Sequence, residues 1–392
     1  MKSSVGNFEI TKNQSVFVLS ALYILVSLYM FNKYGIKIMN DSPRYLTYAE
    51  NLSTQGVYFD PLNFWYISYV FFVYLSQLID PSHGMIIFNQ YLLGMGAMLA
   101  LFFAAKRLTG RINTAFLIGL VFIVFPDNLN WHSYVLTESF YCSVLCFVFY
   151  FLVRLSQERD KLWLYLASGS VLLICFFSKP TSPALFIALA FPLVWKWTMK
   201  PTLRAVKISL VLLAGVFILF LANKMISSHR VMLIYEKGDI IFAMHQLPTH
   251  PHHNWMTVEV PEDLKKPSDD QPLLQQMGSF VLANPLFFTK LIFGKTVMYI
   301  AHIRPFWSWA HNISMAAFLW PLYYFSYQAI KKRLVTNYLS TVFVAYFVLH
   351  TLIISITWVD WDGRFFVPVI PMVIVFGVIG VLDYSEMTTR RT

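Results

Sequence analysis

The segment LNFWYISYVFFVYLSQLI (residues 62–79) runs eighteen residues without a charge between Asp60-Pro61 and Asp80-Pro81. Whether it crosses a lipid bilayer decides how the whole chain is threaded. Eighteen residues of helix reach about 27 Å, close to a hydrocarbon core of about 30 Å. The composition points elsewhere, because aromatic side chains gather at the water–lipid boundary and acid-proline pairs stand at both ends. We read the segment as a helix lying in, or dipping into, the interface.

The rest of the chain supplies the reason. Of its 392 residues 57% are apolar and 13% charged, far from the roughly 25% charged residues of soluble domains. Apolar windows recur at 14–31, 84–105, 112–126, 134–153, 162–178, 183–195, 206–223, 312–330, 337–357 and 365–382. Lipid offers no partner for backbone groups, and strand-like alternation is absent, so these windows predict helices. Counting 62–79 as an eleventh crossing would put most basic loops on the outer face, against the positive-inside rule. With ten crossings, the amino terminus, 106–111, 154–161, 196–207, 331–333 and the tail hold 17 of the 30 Lys and Arg on the cytoplasmic side. Short outer loops hold five, and the long polar segment 224–311 holds the other eight. Fifteen of the twenty acids then lie outside. The net charge of +10 is thus a membrane-surface signal, met by membrane lipids and not by nucleic acid.

The expected architecture is an all-α polytopic membrane protein with about ten transmembrane helices. Residues 1–223 form an amino-terminal module that includes the first outer loop, 32–83; residues 224–311 are an outer insertion; residues 312–392 supply the last helices and a cytoplasmic tail. The first window follows Lys2 and Lys12 but has no small-x-small cleavage pattern, so it reads as a retained anchor. Cys142, Cys146 and Cys175 all fall in apolar windows and read as small core residues.

Charges near a bilayer are costly, so their collection on one face marks use. The first outer loop carries NDSPRYLTYAENL (40–52), with Ser42 suited to cap and Pro43 to open a short helix. Tyr45, Tyr48 and Leu52 share one face of it, as in a helix resting on the membrane surface. Asp41 and Arg44 are then either polar ends of that helix or parts of a site. Glu138, one turn into its window, is either a capping acid or a partner of such a site, and Asp127 follows Pro126 in a loop.

These elements, with HSYVLTESFY (132–141), NPLFFTKLIFGK (284–295), HIRPFWSWAHN (302–312) and DGRFFVPVIP (362–371), resemble the GT-C glycosyltransferases. The likeness is to bacterial members akin to protein O-mannosyltransferases and to the aminoarabinose transferase of lipid A. It covers most of the chain by order of elements. It implies a GT-C-like fold, with membrane-surface helices in the first outer loop, and sugar transfer from a polyprenyl-phosphate donor to a lipid, glycan or protein acceptor on the outer face of the cytoplasmic membrane, usually with inversion. It places Asp41 at the active site and admits a divalent cation there, while no cofactor is otherwise called for.

Such a reaction needs one base and fixed positive charge for the departing phosphate. Asp41 is the candidate base and Glu138 its partner. The outer cations Lys179, Lys295, Arg304 and Arg364 are candidates for the phosphate, the arginines first because their planar fork matches phosphate oxygens. Arg364 has an alternative in pairing with Asp360 or Asp362. Arg44, Tyr45, Asp127, Trp307 and Trp309 are candidates for substrate contact, the tryptophans equally for an interfacial belt. The run HQLPTHPHHNW (245–255) gathers four histidines, but Pro248 and Pro251 interrupt any helical face, and we read an exposed loop and no metal site. Residues 259–276 read as a polar connection ahead of a helix near 272–283. A ligase or polymerase with a diphosphate donor, or a lipid-linked glycan flippase, shares the cations and aromatics. Charge-free window centres and the lack of a pseudo-repeat favour an enzyme.

Overall fold

The computed structural model describes residues 11–389 except 62, 159 and 227–230, with the side chains of 217, 221, 222, 224–226 and 385–389 left aside. Lys2, Arg159, Arg390 and Arg391, counted above as cytoplasmic, and Arg230, counted in the long polar segment, lie outside the described residues. No strand occurs among the described residues; the only extended pairings there are three isolated bridges, Lys37 with Tyr134, Asp239 with Thr257 and Ile241 with Val359. The chain is all-helical.

The helices, in order, are α1 Lys12–Tyr34, α2 Ser42–Gln55, α3 Ile67–Ile79, α4 His83–Thr109, α5 Ile112–Val124, α6 Thr137–Gln157, α7 Leu162–Phe176, α8 Pro183–Thr198 and α9 Arg204–Ile226, followed by α10 Val231–Glu236, α11 His253–Met256, α12 Leu273–Ala283, α13 Pro285–Ala301, α14 Trp309–Lys331, α15 Asn337–Ile356 and α16 Ile370–Thr389. Each of the ten windows expected to cross falls on one of α1, α4 to α9 and α14 to α16. Among the described residues, α1, α4, α6, α15 and the stretch Arg364–Tyr384 are long and apolar enough to cross a membrane, six such spans if the bent pair α12–α13 is counted as one. Helices α5, α7 and α8 are apolar but only 13, 15 and 16 residues long. The opening segment forms a 3₁₀ turn, Phe64–Tyr66, and then the 13 residues of α3, about 20 Å of helix. That is shorter than the hydrocarbon core.

The chain divides into two compact units. Unit 1 comprises Met1–Lys179, Phe318–Val335 and Val367–Thr392; unit 2 comprises Pro180–Ala317 and Thr336–Phe366. In unit 1, α1 opens on a capping box in which the Thr11 hydroxyl accepts the Gln14 amide and the Gln14 side chain accepts the Thr11 amide. Helices α4, α5 and α6 form its centre, with α1, α3, α7 and α16 around them. Helix α16 reaches α14 through Gly380, where a Cβ would stand 2.1 Å from the Phe325 carbonyl oxygen, so only glycine allows that approach. In unit 2, Val231 and Tyr235 of α10, Ile240 of the loop after it, Phe280 of α12 and Phe287 and Leu291 of α13 form a core.

Between α5 and α6 a 3₁₀ turn, Leu129–Ser133, buries His132 against Tyr91, ring centroids 5.4 Å apart. Burial holds its imidazole down at about 4, short of the ordinary 6.5. The folded protein therefore resists protonating it. This contribution to stability is complete above pH 6.5 and is lost as pH falls toward 4. Between pH 7.5 and 5 the loss is about 2 kcal/mol, expected as a lowered thermal midpoint in detergent that His132→Gln flattens.

Candidate functional site

The first group of polar side chains is built at the end of α1. Gly35, at φ +64°, stops that helix, and the chain turns into α2, with Pro43 in the first turn. The Ser42 hydroxyl does not cap α2 as the sequence suggested; it accepts the backbone N–H of Met39 at 2.8 Å and so fixes the turn that presents Asp41. Ser42, Tyr45, Tyr48, Ala49 and Leu52 form the buried face of α2.

Arg44 lies between two rings, its guanidinium 4.8 Å from the Tyr45 centroid and 4.7 Å from that of Tyr66. Its Nη2 donates to the Tyr45 hydroxyl at 2.8 Å and stands 3.6 Å from Asp41 Oδ1. Asp41 and Arg44 keep 30% and 33% of their side-chain surface exposed, so both are reachable while Arg44 is held in place. Burial works against the Arg44 charge, yet Tyr45, Tyr66 and Asp41 outweigh it and keep the guanidinium more firmly protonated than a free one.

Behind this pair lies an ion pair with almost no solvent contact. Glu138, in the first turn of α6, accepts from Lys179 Nζ at 2.8 Å, each side chain 4% exposed. Burial pushes the Tyr45 phenol well above its ordinary range, and Tyr66, Glu138 and Asp41 add to this while Arg44 opposes it. The Tyr45 ring thus stands within the field of both carboxylates. Tyr69 of α3 continues the aromatic layer, 5.2 Å from Tyr45 and 5.7 Å from Phe140 of α6. Asp127 is buried in the turn after α5.

The remaining candidates belong to unit 2, where Asp360 is the hub. Its carboxylate accepts from the backbone N–H of Gly363 at 3.1 Å and of Phe365 at 3.3 Å, with Arg364 Nε at 3.4 Å and Arg304 Nη2 at 3.9 Å. Arg364 also lies 3.9 Å from Asp362, so the alternative pairing considered from sequence is present. Arg304 is 1% exposed and donates to the carbonyls of Met298 and Ile303. Its guanidinium sits 5.4 Å from the Trp307 ring, while Trp309 is 84% exposed. Lys295 is buried, donating to the Thr357 carbonyl at 2.8 Å and lying over the Tyr235 ring.

The sequence-derived residues therefore separate into Asp41, Arg44, Tyr45, Asp127, Glu138 and Lys179 in unit 1 and Lys295, Arg304, Trp307, Trp309 and Arg364 in unit 2. Sequence reasoning missed three features. Tyr66 completes the Arg44 clamp; its only sequence signal is an aromatic at the head of an interfacial helix. Lys179, assigned to a phosphate, is bonded to Glu138 across 41 positions. Asp239, fully buried, holds His245 through Nδ1 at 2.6 Å and through its backbone N–H at 2.8 Å, so one of the four clustered histidines is anchored by an acid outside the cluster. Among the described residues no group of three or more His, Cys, Asp or Glu is arranged to hold a metal ion.

No protein-family model matches the chain, and no curated protein is similar to it. Fold and composition define its class: an all-helical protein with several helices fit to span a membrane.

Proposed function

We propose that the chain is a GT-C-like inverting glycosyltransferase with ten membrane crossings, moving a sugar from a polyprenyl-phosphate donor to a hydroxyl of a cell-envelope acceptor on the outer face of the cytoplasmic membrane. The observation that carries this reading is the pairing, on one amphipathic helix at the end of the first apolar helix, of a reachable carboxylate with a clamped, reachable guanidinium. Asp41 takes the proton of the acceptor hydroxyl as its oxygen attacks the anomeric carbon. The bond from that carbon to the phosphate oxygen breaks on the opposite face, and its electron pair leaves with the phosphate. Arg44, fixed between Tyr45 and Tyr66, meets the charge that grows there. Lipid phosphate departs without protonation, so one acid suffices, unlike the two carboxylates of glycoside hydrolysis.

The Glu138–Lys179 pair is placed to support α2 from below through Tyr45. The guanidinium groups of Arg304 and Arg364 are engaged by Asp360, and Arg304 and Lys295 are buried. The phosphate role is therefore given to Arg44 in this proposal.

The test is transfer by purified protein in nanodiscs from synthetic polyprenyl-phosphate sugars, with released polyprenyl phosphate as the readout. Turnover with a monophosphate donor is expected. Turnover with diphosphate donors alone would move the assignment to a ligase, and strand-to-strand movement of intact donor without cleavage would move it to a flippase.

A further inference from the structure

Segment 224–311 reads in the sequence as a polar outer insertion, yet its second half holds an apolar helix pair, α12 and α13, bent by 110° at Asn284. Such a pair is either one broken crossing or a helix that enters the bilayer and returns. The register against α15 distinguishes them. Lys295 Nζ bonds the Thr357 carbonyl just past the end of α15, Thr296 Oγ1 meets Ser355 Oγ at 2.9 Å, and Tyr299 Oη meets His350 Nδ1 at 2.7 Å. As α13 advances, its partners on α15 recede from that helix's outer end, so the two run antiparallel. His350 lies six residues before Ile356, about 9 Å down the α15 axis.

The descent stops there. His302, buried and in the left-handed region at φ +50°, ends α13, and Arg304 Nη2 then reaches back up to the Asp360 carbonyl at 3.4 Å. The turn is non-helical, but its polar groups are enclosed by protein: the Arg304 backbone N–H donates to Asn312 Oδ1, and the Asn312 amide donates to the Arg304 carbonyl. Irregular backbone at membrane depth is tolerated under that condition. Phe287, Leu291, Lys295 and Tyr299 form the inward face of α13, while Phe293 and Val297 on the other side are 70% and 45% exposed. Charge agrees with a return. A full crossing would carry Lys331, Lys332 and Arg333 to the outer face, away from the other basic loops.

We infer that α13 is a re-entrant helix whose second half descends about two turns into the outer leaflet beside α15, with Phe293 and Val297 against lipid acyl chains, before the chain returns at His302–Arg304 to the side it left. The inference does not depend on the proposed activity. Its test uses single added cysteines in the full chain, the three native ones being buried. An impermeant maleimide applied to oriented vesicles is expected to label Glu262→Cys and Ser308→Cys from one side and Lys332→Cys from the other. Nitroxides on Phe293→Cys and Val297→Cys in nanodiscs are expected to collide with oxygen and to be shielded from a nickel chelate, in contrast to Leu247→Cys. Labelling of 262 and 308 from opposite sides would make α12–α13 a crossing and overturn the inference. So would nickel access at 293 and 297 equal to that at 247, which would place α13 in water.

Discussion

Asp41→Asn is expected to lower sugar transfer by 100-fold or more at unchanged thermal stability. The substitution keeps the shape of the side chain and its place at the start of α2 but removes the charge that takes the acceptor's proton in the proposed reaction. A 100-fold loss corresponds to about 2.7 kcal/mol of barrier, the scale of one base acting in the transition state. The effect should fall on kcat and on kcat/KM alike, because the carboxylate acts on the reacting proton and not on the donor's lipid tail. Asp41 makes no side-chain cap to α2, and its ion pair with Arg44 is long and part-exposed, so little folding energy is lost with the charge. Activity equal to wild type would reduce Asp41 to the polar end of a surface helix and direct the search for the base to Glu138.

The second large effect concerns stability. Removing one partner of the Glu138–Lys179 pair takes from a buried charge the ion bonded to it at 2.8 Å, a loss of about 3–5 kcal/mol for buried pairs. Lys179→Met and Glu138→Gln should each lower the thermal midpoint strongly. The double variant should recover most of the loss, because an uncharged, hydrogen-bonding site has no desolvated ion to accommodate. The cycle separates the pair's own coupling from the cost of an orphaned charge. Additive losses in the double variant would mean that each residue is held by other neighbours, and the link from α6 to Tyr45 would lose its role in shaping the site.

Much of the helical layout was legible because lipid simplifies the code. A backbone that cannot bond to solvent must be helical, so apolar length locates elements without any knowledge of their partners. The ten windows each fall on a helix, and the helix expected near 272–283 is α12. The helix after Asp41 puts Tyr45, Tyr48 and Leu52 on one face as its spacing predicts, but that face is packed into protein, against Tyr69 of α3 among others, and does not rest on the membrane surface. The sequence suggests Ser42 as the cap of α2, whereas in the structure it accepts the Met39 N–H and not one from the helix end. That choice depends on the path of the preceding turn, which no local pattern states.

The site was legible as an inventory of charges and not as a set of pairings. Arg44 stands three residues from Asp41, within reach of local reasoning. Lys179 finding Glu138, Tyr66 closing over Arg44 and Asp360 gathering Arg304 and Arg364 are contacts between elements far apart in the chain. Charge alone marks such side chains as costly near a membrane without saying which neighbour offsets the cost.

By itself, then, the amino-acid order determined that the chain is helical, that several helices suit a bilayer, and which polar residues stand at their ends, because hydropathy and period are local properties. Only the tertiary structure decided that α13 runs antiparallel to α15 and ends before His302, and which cation is buried and which is presented. Those outcomes follow from register and packing between distant segments, where a shift of one helical turn exchanges one partner for another at no change in composition.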